Sequence, residues 1–398
     1  MIANAWRRRR FGRLAGALAA GVLAVGAVSL GATAGAATTT TAAHETTSTT
    51  GASAPALTRV PWSKVGSGWV LAEYTNGAAG KAAPVTLYLI SPAGVRYPMH
   101  TWDGRGTTPY LIAWSGDKTR ALLGLTGSGY EQLTLSTGKL TAGKLAGRAE
   151  PTGYTLPDGQ NILGVTEAAA GGELATVARY SLAGHLLKVL TRGVDENTAV
   201  YAPNGVTLAV SGAKGLELVS NGGGVIRSLP VSRTDPALGC YPSRWWNATT
   251  VLTECLADGA IAPRLWLVPT NGKKPVPLTP QRSAAGPDLG DIDAWQLSSG
   301  LYVQGLGCCA TVEVYRQAAT GSITLVNVPH TSGNNNQLVT AVGARLLVHA
   351  QTSCPGSSSL LWFNPATHAE QWLLRAPANA AGVIGVVAFN STENAQLL

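Results

Sequence analysis

The sequence predicts an all-β protein: a seven-bladed β-propeller of four-stranded antiparallel blades, with a C-terminal strand closing the ring. Three observations lead to this fold class, namely strand-length apolar runs, turn residues at each break, and recurrence of the pattern. Residues 107–145 show the unit best. Four short runs there are separated by turns at Ser115-Gly116-Asp117-Lys118, Gly127-Ser128-Gly129 and Thr137-Gly138. Runs this brief, bounded by turn residues, are typical of an antiparallel meander.

The unit recurs through residues 58–390. Its first turn falls in succession at Gly66, Gly116, Pro157, Pro203, Asn247, Ser299 and Gly343. The period is about 40 to 50 residues with four strands each, which is typical of propeller blades. One blade cannot bury its own two apolar faces, so blades stack radially and bury them against each other. The strand-like segment 381–389 is expected to complete the first blade; a truncated eighth blade is the alternative.

Three of these turns resemble a known repeat. Ala113-Trp114-Ser115-Gly116-Asp117-Lys118, Leu156-Pro157-Asp158-Gly159-Gln160 and Ala202-Pro203-Asn204-Gly205 resemble degenerate copies of the Trp-Ser-Pro-Asp-Gly-Lys turn of TolB-like and WD-repeat-like propellers. Pro presets one turn dihedral and Gly accepts positive φ, so these residues suit tight reversals. The resemblance covers residues 58–390 as architecture. It implies an exported bacterial protein whose repeats serve mostly for protein contacts.

Residues 1–36 are predicted to be an export signal. An arginine cluster at 7–13 precedes an apolar segment, and Ala34-Gly35-Ala36 supplies a small-residue cleavage pattern. Arg8-Arg9-Arg10-Phe11 resembles the twin-arginine pattern, which implies export of a folded protein. An uncleaved leader that anchors the chain in the membrane is the alternative, although the apolar run is short for a span. Residues 37–57 form a Thr/Ala-rich linker expected to be disordered, and 391–398 a loose tail.

The charge pattern argues against nucleic acid as a partner. The formal net charge is +8, but the leader contributes five arginines and no acid, so the remainder is close to neutral. No basic stripe interleaved with aromatic residues is present. Nor does the sequence contain a phosphate-binding glycine loop, a Gly-x-Ser-x-Gly turn or a His-Glu-x-x-His run. We therefore expect no cofactor and assign no catalytic residue.

The cysteines predict disulfides, since an exported chain meets an oxidising compartment. If the fifth hairpin turns between Asn247 and Ala248, Cys240 faces Cys255 across an antiparallel pair, within disulfide reach. Cys309 (or Cys308) with Cys354 is the second expected bridge. A vicinal Cys308–Cys309 bridge is the alternative. A zinc site is a further alternative, but no Cys-x-x-Cys spacing supports it.

Propeller geometry places the longest loops on one face, opposite the Pro-Asp-Gly turns. Loops on a rigid frame commonly carry recognition. The candidate binding residues there are Asp103, Arg105, Asp195, Glu196, Asp235, Asp288, Asp291, Asp293 and His330. The run 288–293 is the best metal candidate because hard cations need converging carboxylates. A solvated acidic loop that caps the next strand is the favoured interpretation, since the calcium-loop pattern is absent, and we expect no metal.

These observations predict a non-catalytic binding or scaffold propeller that recognises a protein or a cell-envelope component through its long-loop face. The alternative is an extracellular lyase or hydrolase directed at a polysaccharide or a peptide, with its site at the mouth of the channel. A propeller brings residues from distant repeats together around its channel, so an enzyme could be assembled without a local motif.

Overall fold

The structure consists of short β-strands joined by turns. It is a computed structural model that describes residues 57, 59–78, 81–105, 108–125, 128–166, 175–194, 199–212, 215–229, 231, 239–256, 262–281, 290–305, 313–329, 336–352, 356–377 and 379–389. All of them belong to one compact unit spanning residues 51–397. The predicted leader 1–36 and tail 391–398 lie outside this part of the chain. Within it, no helix is both long and apolar enough to cross a membrane.

The described residues up to 231 contribute fifteen strands and two short 3₁₀ helices, Trp62–Lys64 and Ala146–Arg148. The strands are β1 (Val70–Thr75), β2 (Val85–Ile90), β3 (Arg96–Trp102), β4 (Tyr110–Trp114), β5 (Arg120–Gly124), β6 (Gly129–Thr134), β7 (Lys139–Lys144), β8 (Glu150–Tyr154), β9 (Asn161–Thr166), β10 (Ala175–Ser181), β11 (Leu186–Val194), β12 (Val200–Tyr201), β13 (Thr207–Gly212), β14 (Gly215–Ser220) and β15 (Val225–Leu229).

The second half adds thirteen more strands among the described residues. They are β16 (Gly239–Asn247), β17 (Thr250–Leu256), β18 (Arg264–Pro269), β19 (Val276–Pro277), β20 (Asp291–Leu297), β21 (Gly300–Gly305), β22 (Val314–Gln317), β23 (Ile323–Leu325), β24 (Asn336–Val342), β25 (Arg345–Gln351), β26 (Ser358–Asn364), β27 (Ala369–Leu374) and β28 (Gly382–Ala388). The all-β prediction is confirmed.

The strands pair as four-stranded antiparallel groups. Group 1 has the order β28-β1-β2-β3, because the C-terminal strand pairs with β1, and groups 2 to 7 are β4–β7, β8–β11, β12–β15, β16–β19, β20–β23 and β24–β27. The pair Val194↔Gly212 joins groups 3 and 4 into one sheet. The parallel pair Ser358↔Gly382 joins groups 7 and 1. The predicted four-stranded antiparallel unit is therefore confirmed.

The hydrophobic core lies between the groups. Leu71 and Leu87 of group 1, for example, pack with Trp114 and Leu123 of group 2, and all four are buried. Equivalent clusters join each other pair of consecutive groups, including groups 7 and 1. Truncating one such leucine to alanine costs about 2–5 kcal/mol in a packed interior. Each group thus depends on its neighbours for burial.

The first strand of most groups carries a β-bulge, and β28 does so in group 1. The register shifts leave an extra residue in each of these strands, namely Ile384, Ile112, Thr152, Ser243, Ile292 and Val339, and β16 has a second one at Trp246. The bulged strands also approach one another, since β4 packs beside β28 and β8, and β24 packs beside β20 and β28. We call these six bulged strands, β28, β4, β8, β16, β20 and β24, the inner strands. A bulge bends its strand and re-aims the following side chain.

Candidate functional site

The residue that follows each bulge is of one type in most inner strands and of another type in two of them. In four inner strands this residue is small: Gly385, Ala113, Gly153 and Thr340. In β16 and β20 it is charged instead, being Arg244 and Asp293. Departures from a local rule are expected at functional positions, because they carry an energetic cost that packing alone does not require. The two charged residues define the candidate site.

Arg244 and Asp293 form an ion pair across the junction of groups 5 and 6. The guanidinium Nε lies 3.1 Å from Asp293 Oδ1, and the two side chains are 5% and 23% exposed. Arg244 also donates a hydrogen bond to the carbonyl oxygen of Ala294, whose own N–H donates to Asp293 Oδ1 at 2.7 Å. These bonds fix the orientation of the carboxylate. A partly buried, hydrogen-bonded pair of this kind is much less screened by salt than a surface pair.

Two tryptophan rings flank the guanidinium. Its central carbon lies 3.6 Å from the ring centroid of Trp295 and 5.1 Å from that of Trp246. Trp295 is buried and Trp246 is half-buried. Cation–π contacts contribute about 0.5–2 kcal/mol, with the larger values in desolvated settings. The rings therefore hold Arg244 in place and keep water from one side of the ion pair.

Burial dominates the electrostatics of this acid. It raises the pKa of Asp293, while Arg244 and the Ala294 N–H act in the opposite direction. A carboxyl group with a raised pKa and a charged partner is a candidate for acid–base chemistry. Structural ion pairs perturb pKa values as well, so a test has to separate catalysis from stability.

The neighbouring acid, Asp291, is the first residue of β20 and is completely buried. Its backbone N–H donates to the carbonyl oxygen of Pro263 at 2.9 Å. The interpretation of 288–293 as a solvated acidic loop is therefore wrong for Asp291 and Asp293, because both belong to an inner strand packed against group 5. Among the described residues, no three His, Cys, Asp or Glu side chains are grouped to hold a metal ion.

A second buried acid lies at the junction of groups 1 and 2. Glu73 of β1 is 1% exposed, and its Oε2 accepts a hydrogen bond from Leu111 N–H at 3.0 Å. Burial raises the pKa of Glu73 to about 8, with the Leu111 N–H acting in the opposite direction. Sequence analysis did not single out Glu73. A glutamate inside the apolar run 70–75 is the signal that was available.

The structure brings only some of the predicted binding residues together. Asp291 and Asp293 share one strand with Arg244 beside it, whereas Asp103 accepts the backbone N–H of Arg105 at 2.8 Å in an exposed loop. The other candidate binding residues lie outside the described residues, namely Asp195, Glu196, Asp235, Asp288 and His330. Cys308, Cys309 and Cys354 lie outside them too, so their pairing stays a prediction.

The Cys240–Cys255 disulfide is confirmed. The two cysteines face each other in the register of β16 and β17. The turn itself is one residue later than predicted, because Asn247 pairs with Thr250 around Ala248-Thr249. Two irregularities in β16 offset that difference. The prediction that Cys240 faces Cys255 is therefore correct, although the hairpin is irregular.

Comparison with known proteins shows the fold but no family. No family model matches the chain, and no curated protein matches it. Among solved structures, a Mycobacterium tuberculosis puromycin-hydrolyzing peptidase matches at 18% identity and TM-score 0.50, over 77% of this chain and 53% of the peptidase. A prolyl endopeptidase matches at 11% identity and TM-score 0.50, over 76% and 49%. This chain thus spans about half the length of these two enzymes.

A periplasmic gluconolactonase from Pseudomonas aeruginosa also matches, at 13% identity and TM-score 0.45, over 82% of this chain and 98% of that one. Together with the four-stranded groups and the cores between them, the likenesses support a β-propeller fold. They also correct the functional expectation. The interpretation as a non-catalytic binding or scaffold propeller is corrected, because the two structures that match with a TM-score of 0.50 are peptidases.

Proposed function

We propose that the protein is a peptide-directed hydrolase whose site lies where the inner strands β16 and β20 meet, near the mouth of the channel. The observation that carries this proposal is the Arg244–Asp293 pair, which occupies positions that hold small residues in four other inner strands. Peptides are chosen as the substrate class because the two enzymes that match with a TM-score of 0.50 are peptidases.

The roles follow from the contacts. Asp293, whose pKa is raised by burial, takes a proton from the water that attacks the peptide carbonyl carbon. It returns this proton to the leaving amine nitrogen as the C–N bond breaks, so the carboxylate is regenerated. Arg244 keeps the carboxylate oriented through its 3.1 Å contact and balances its charge. The stacked ring of Trp295 stabilises the guanidinium, so the pair is organised before substrate binds. Preorganised charges of this kind act without reorganisation cost during the reaction.

The test is a cleavage assay with the full chain on a peptide library, read by mass spectrometry, with a panel of polysaccharides in parallel. Asp293→Asn keeps the shape of the side chain and removes its basicity. We expect cleavage by the parent and at least a hundredfold loss in this variant, in the range of general-base contributions. Asp158→Asn is the matched control, since Asp158 is exposed and accepts only a turn N–H, from Gln160 at 3.1 Å.

Three outcomes would overturn the proposal. A parent protein that cleaves no peptide, or an Asp293→Asn variant as active as the parent, removes the peptide hydrolase. Cleavage of a polysaccharide alone replaces the substrate class and favours the lyase or polysaccharide hydrolase. Melting curves of both variants distinguish lost chemistry from lost folding.

We also propose that the seven groups are the blades of a closed ring of TolB-like type. Support comes from the pairing of β28 with β1 and from the apolar cluster between groups 7 and 1. Gly159 and Gly205, which both have positive φ, lie in turns that resemble the TolB-like repeat. Counting blades in an experimental structure tests this proposal, and an open arc or an eighth group contradicts it.

We propose export beyond the cytoplasmic membrane, with the leader cleaved or retained as an anchor. The Cys240–Cys255 disulfide supports an oxidising compartment. We propose Cys309–Cys354 as the second bridge. Peptide mapping without reduction tests that pairing, and a Cys308–Cys309 linkage would contradict it.

A further inference from the structure

In each bulged pair of strands, one residue of the second strand faces the residue that follows the bulge. Its identity departs from the common pattern in two groups. On the second strand of four groups it is a buried leucine: Leu122, Leu163, Leu252 and Leu347. In group 1 it is Glu73, which faces Gly385, and in group 6 it is Gln304, which faces Asp293. A carboxyl group and an amide group thus replace leucine at two equivalent positions.

Both side chains make the same contact. Glu73 Oε2 accepts the N–H of Leu111 at 3.0 Å, and Gln304 Oε1 accepts the N–H of Leu338 at 2.7 Å. Leu111 and Leu338 each precede the bulge in the first strand of the following group. Each side chain therefore bridges from one group to the backbone of the next. A neutral amide performs this task at Gln304.

The surroundings of Glu73 favour a neutral group. It is 1% exposed, and a Cβ on Gly385 would lie 2.5 Å from its Oε2. Its Oε1 is buried, with no hydrogen-bond partner among the described residues. An ionised carboxylate in such a place would lack the hydrogen bonds that water supplies outside.

No other carboxyl group and no cationic side chain lies on the strands that pack against it. The titratable groups of β1, β2, β4 and β28, apart from Glu73, are Tyr74, Tyr88 and Tyr110. The strand beyond β4, β8, carries one acid, Glu150. On the other side, His349 of β25 contacts the carbonyl oxygen of Val383 at 3.2 Å. Among the described residues of these strands, no cation is therefore placed to stabilise a carboxylate at Glu73.

We propose that Glu73 is held as a neutral carboxylic acid, equivalent to the amide of Gln304. We propose further that loss of its proton weakens the junction of groups 1 and 2. In the neutral form Oε2 accepts from Leu111 and Oε1 carries the proton. When the proton leaves to solvent, a charge is left at the junction where β28 pairs with β1. The inference does not depend on the proposed hydrolysis.

Hydrogen exchange of the full chain between pH 6 and pH 9, corrected for the intrinsic exchange rate, tests whether the junction weakens with rising pH. We expect protection of the Leu111 amide and of β28 to fall at least tenfold with rising pH. Glu73→Gln should abolish that fall, because an amide cannot ionise. Glu150→Gln is the matched control and should keep it. Gln304→Glu should create a new pH-dependent loss of protection at Leu338.

Infrared difference spectra between the parent and Glu73→Gln at pH 6 give a second measurement that does not need the Gln304→Glu variant to fold. A protonated carboxyl band present only in the parent is expected. The proposal is wrong if that band is missing, if Glu73→Gln keeps the pH dependence of the parent, or if a folded Gln304→Glu variant gains none.

Discussion

Replacing Glu73 with glutamine should change how the free energy of unfolding depends on pH. The pKa of this carboxyl is raised from 4.5 to about 8 in the folded protein, because it is buried. The folded state therefore holds the proton more tightly than the unfolded state. The contribution of this proton to the free energy of unfolding is fully present below about pH 4.5. It falls as pH rises towards 8 and is lost above that pH.

The magnitude follows from linkage. One pH unit in this window corresponds to about 1.4 kcal/mol, so the parent should lose about 3 kcal/mol between pH 5 and pH 7 through this group alone. Glu73→Gln keeps the hydrogen bond to Leu111 and cannot ionise. The difference between the two proteins isolates Glu73, since every other titrating group is common to both.

Urea unfolding of both proteins at pH 5, 6, 7 and 8, followed by tryptophan fluorescence, measures this difference. The free energy of unfolding of Glu73→Gln, relative to that of the parent, should increase with each unit of pH. Two curves of stability against pH that run parallel would refute the reasoning, because they would mean that Glu73 is ionised in the folded state at every pH tested. Unequal slopes against urea would show instead that the unfolded states differ.

Three further predictions concern single contacts. Cys240→Ser combined with Cys255→Ser should lower the unfolding free energy by about 3 kcal/mol, since the bridge closes a loop of 15 residues; an unchanged melting temperature without reductant would contradict this. Gly385→Ala should cost about 1–3 kcal/mol, because the added Cβ meets Glu73 Oε2 at 2.5 Å and displacing that atom breaks its hydrogen bond with Leu111 N–H, and full stability in urea would mean that the carboxyl group shifts without losing this bond. Arg244→Leu should cost about 3 kcal/mol, the low end for a buried pair, because Asp293 is 23% exposed and is left without its counter-charge, whereas calorimetry showing no loss would mean that the pair does not contribute to stability.

The candidate site was only partly visible in the sequence. Asp291 and Asp293 were identified as candidates, but as members of a solvated loop rather than of an inner strand. Arg244 was missed because its pairing with Asp293 depends on a bulge in each strand, and an extra residue leaves no mark in an alternating pattern. Glu73 was missed because its partner, Leu111, belongs to a different repeat.

What the sequence determined by itself is the local structure. Short apolar runs and the turn residues between them dictate strands and reversals over a few residues, and they also placed Cys240 opposite Cys255. Only the tertiary structure decided which groups meet, where β28 pairs, and which side chains are buried with a charge. Those properties depend on contacts between residues far apart in the sequence, such as Val70 with Ala388, and such contacts are set by packing rather than by neighbours in the chain.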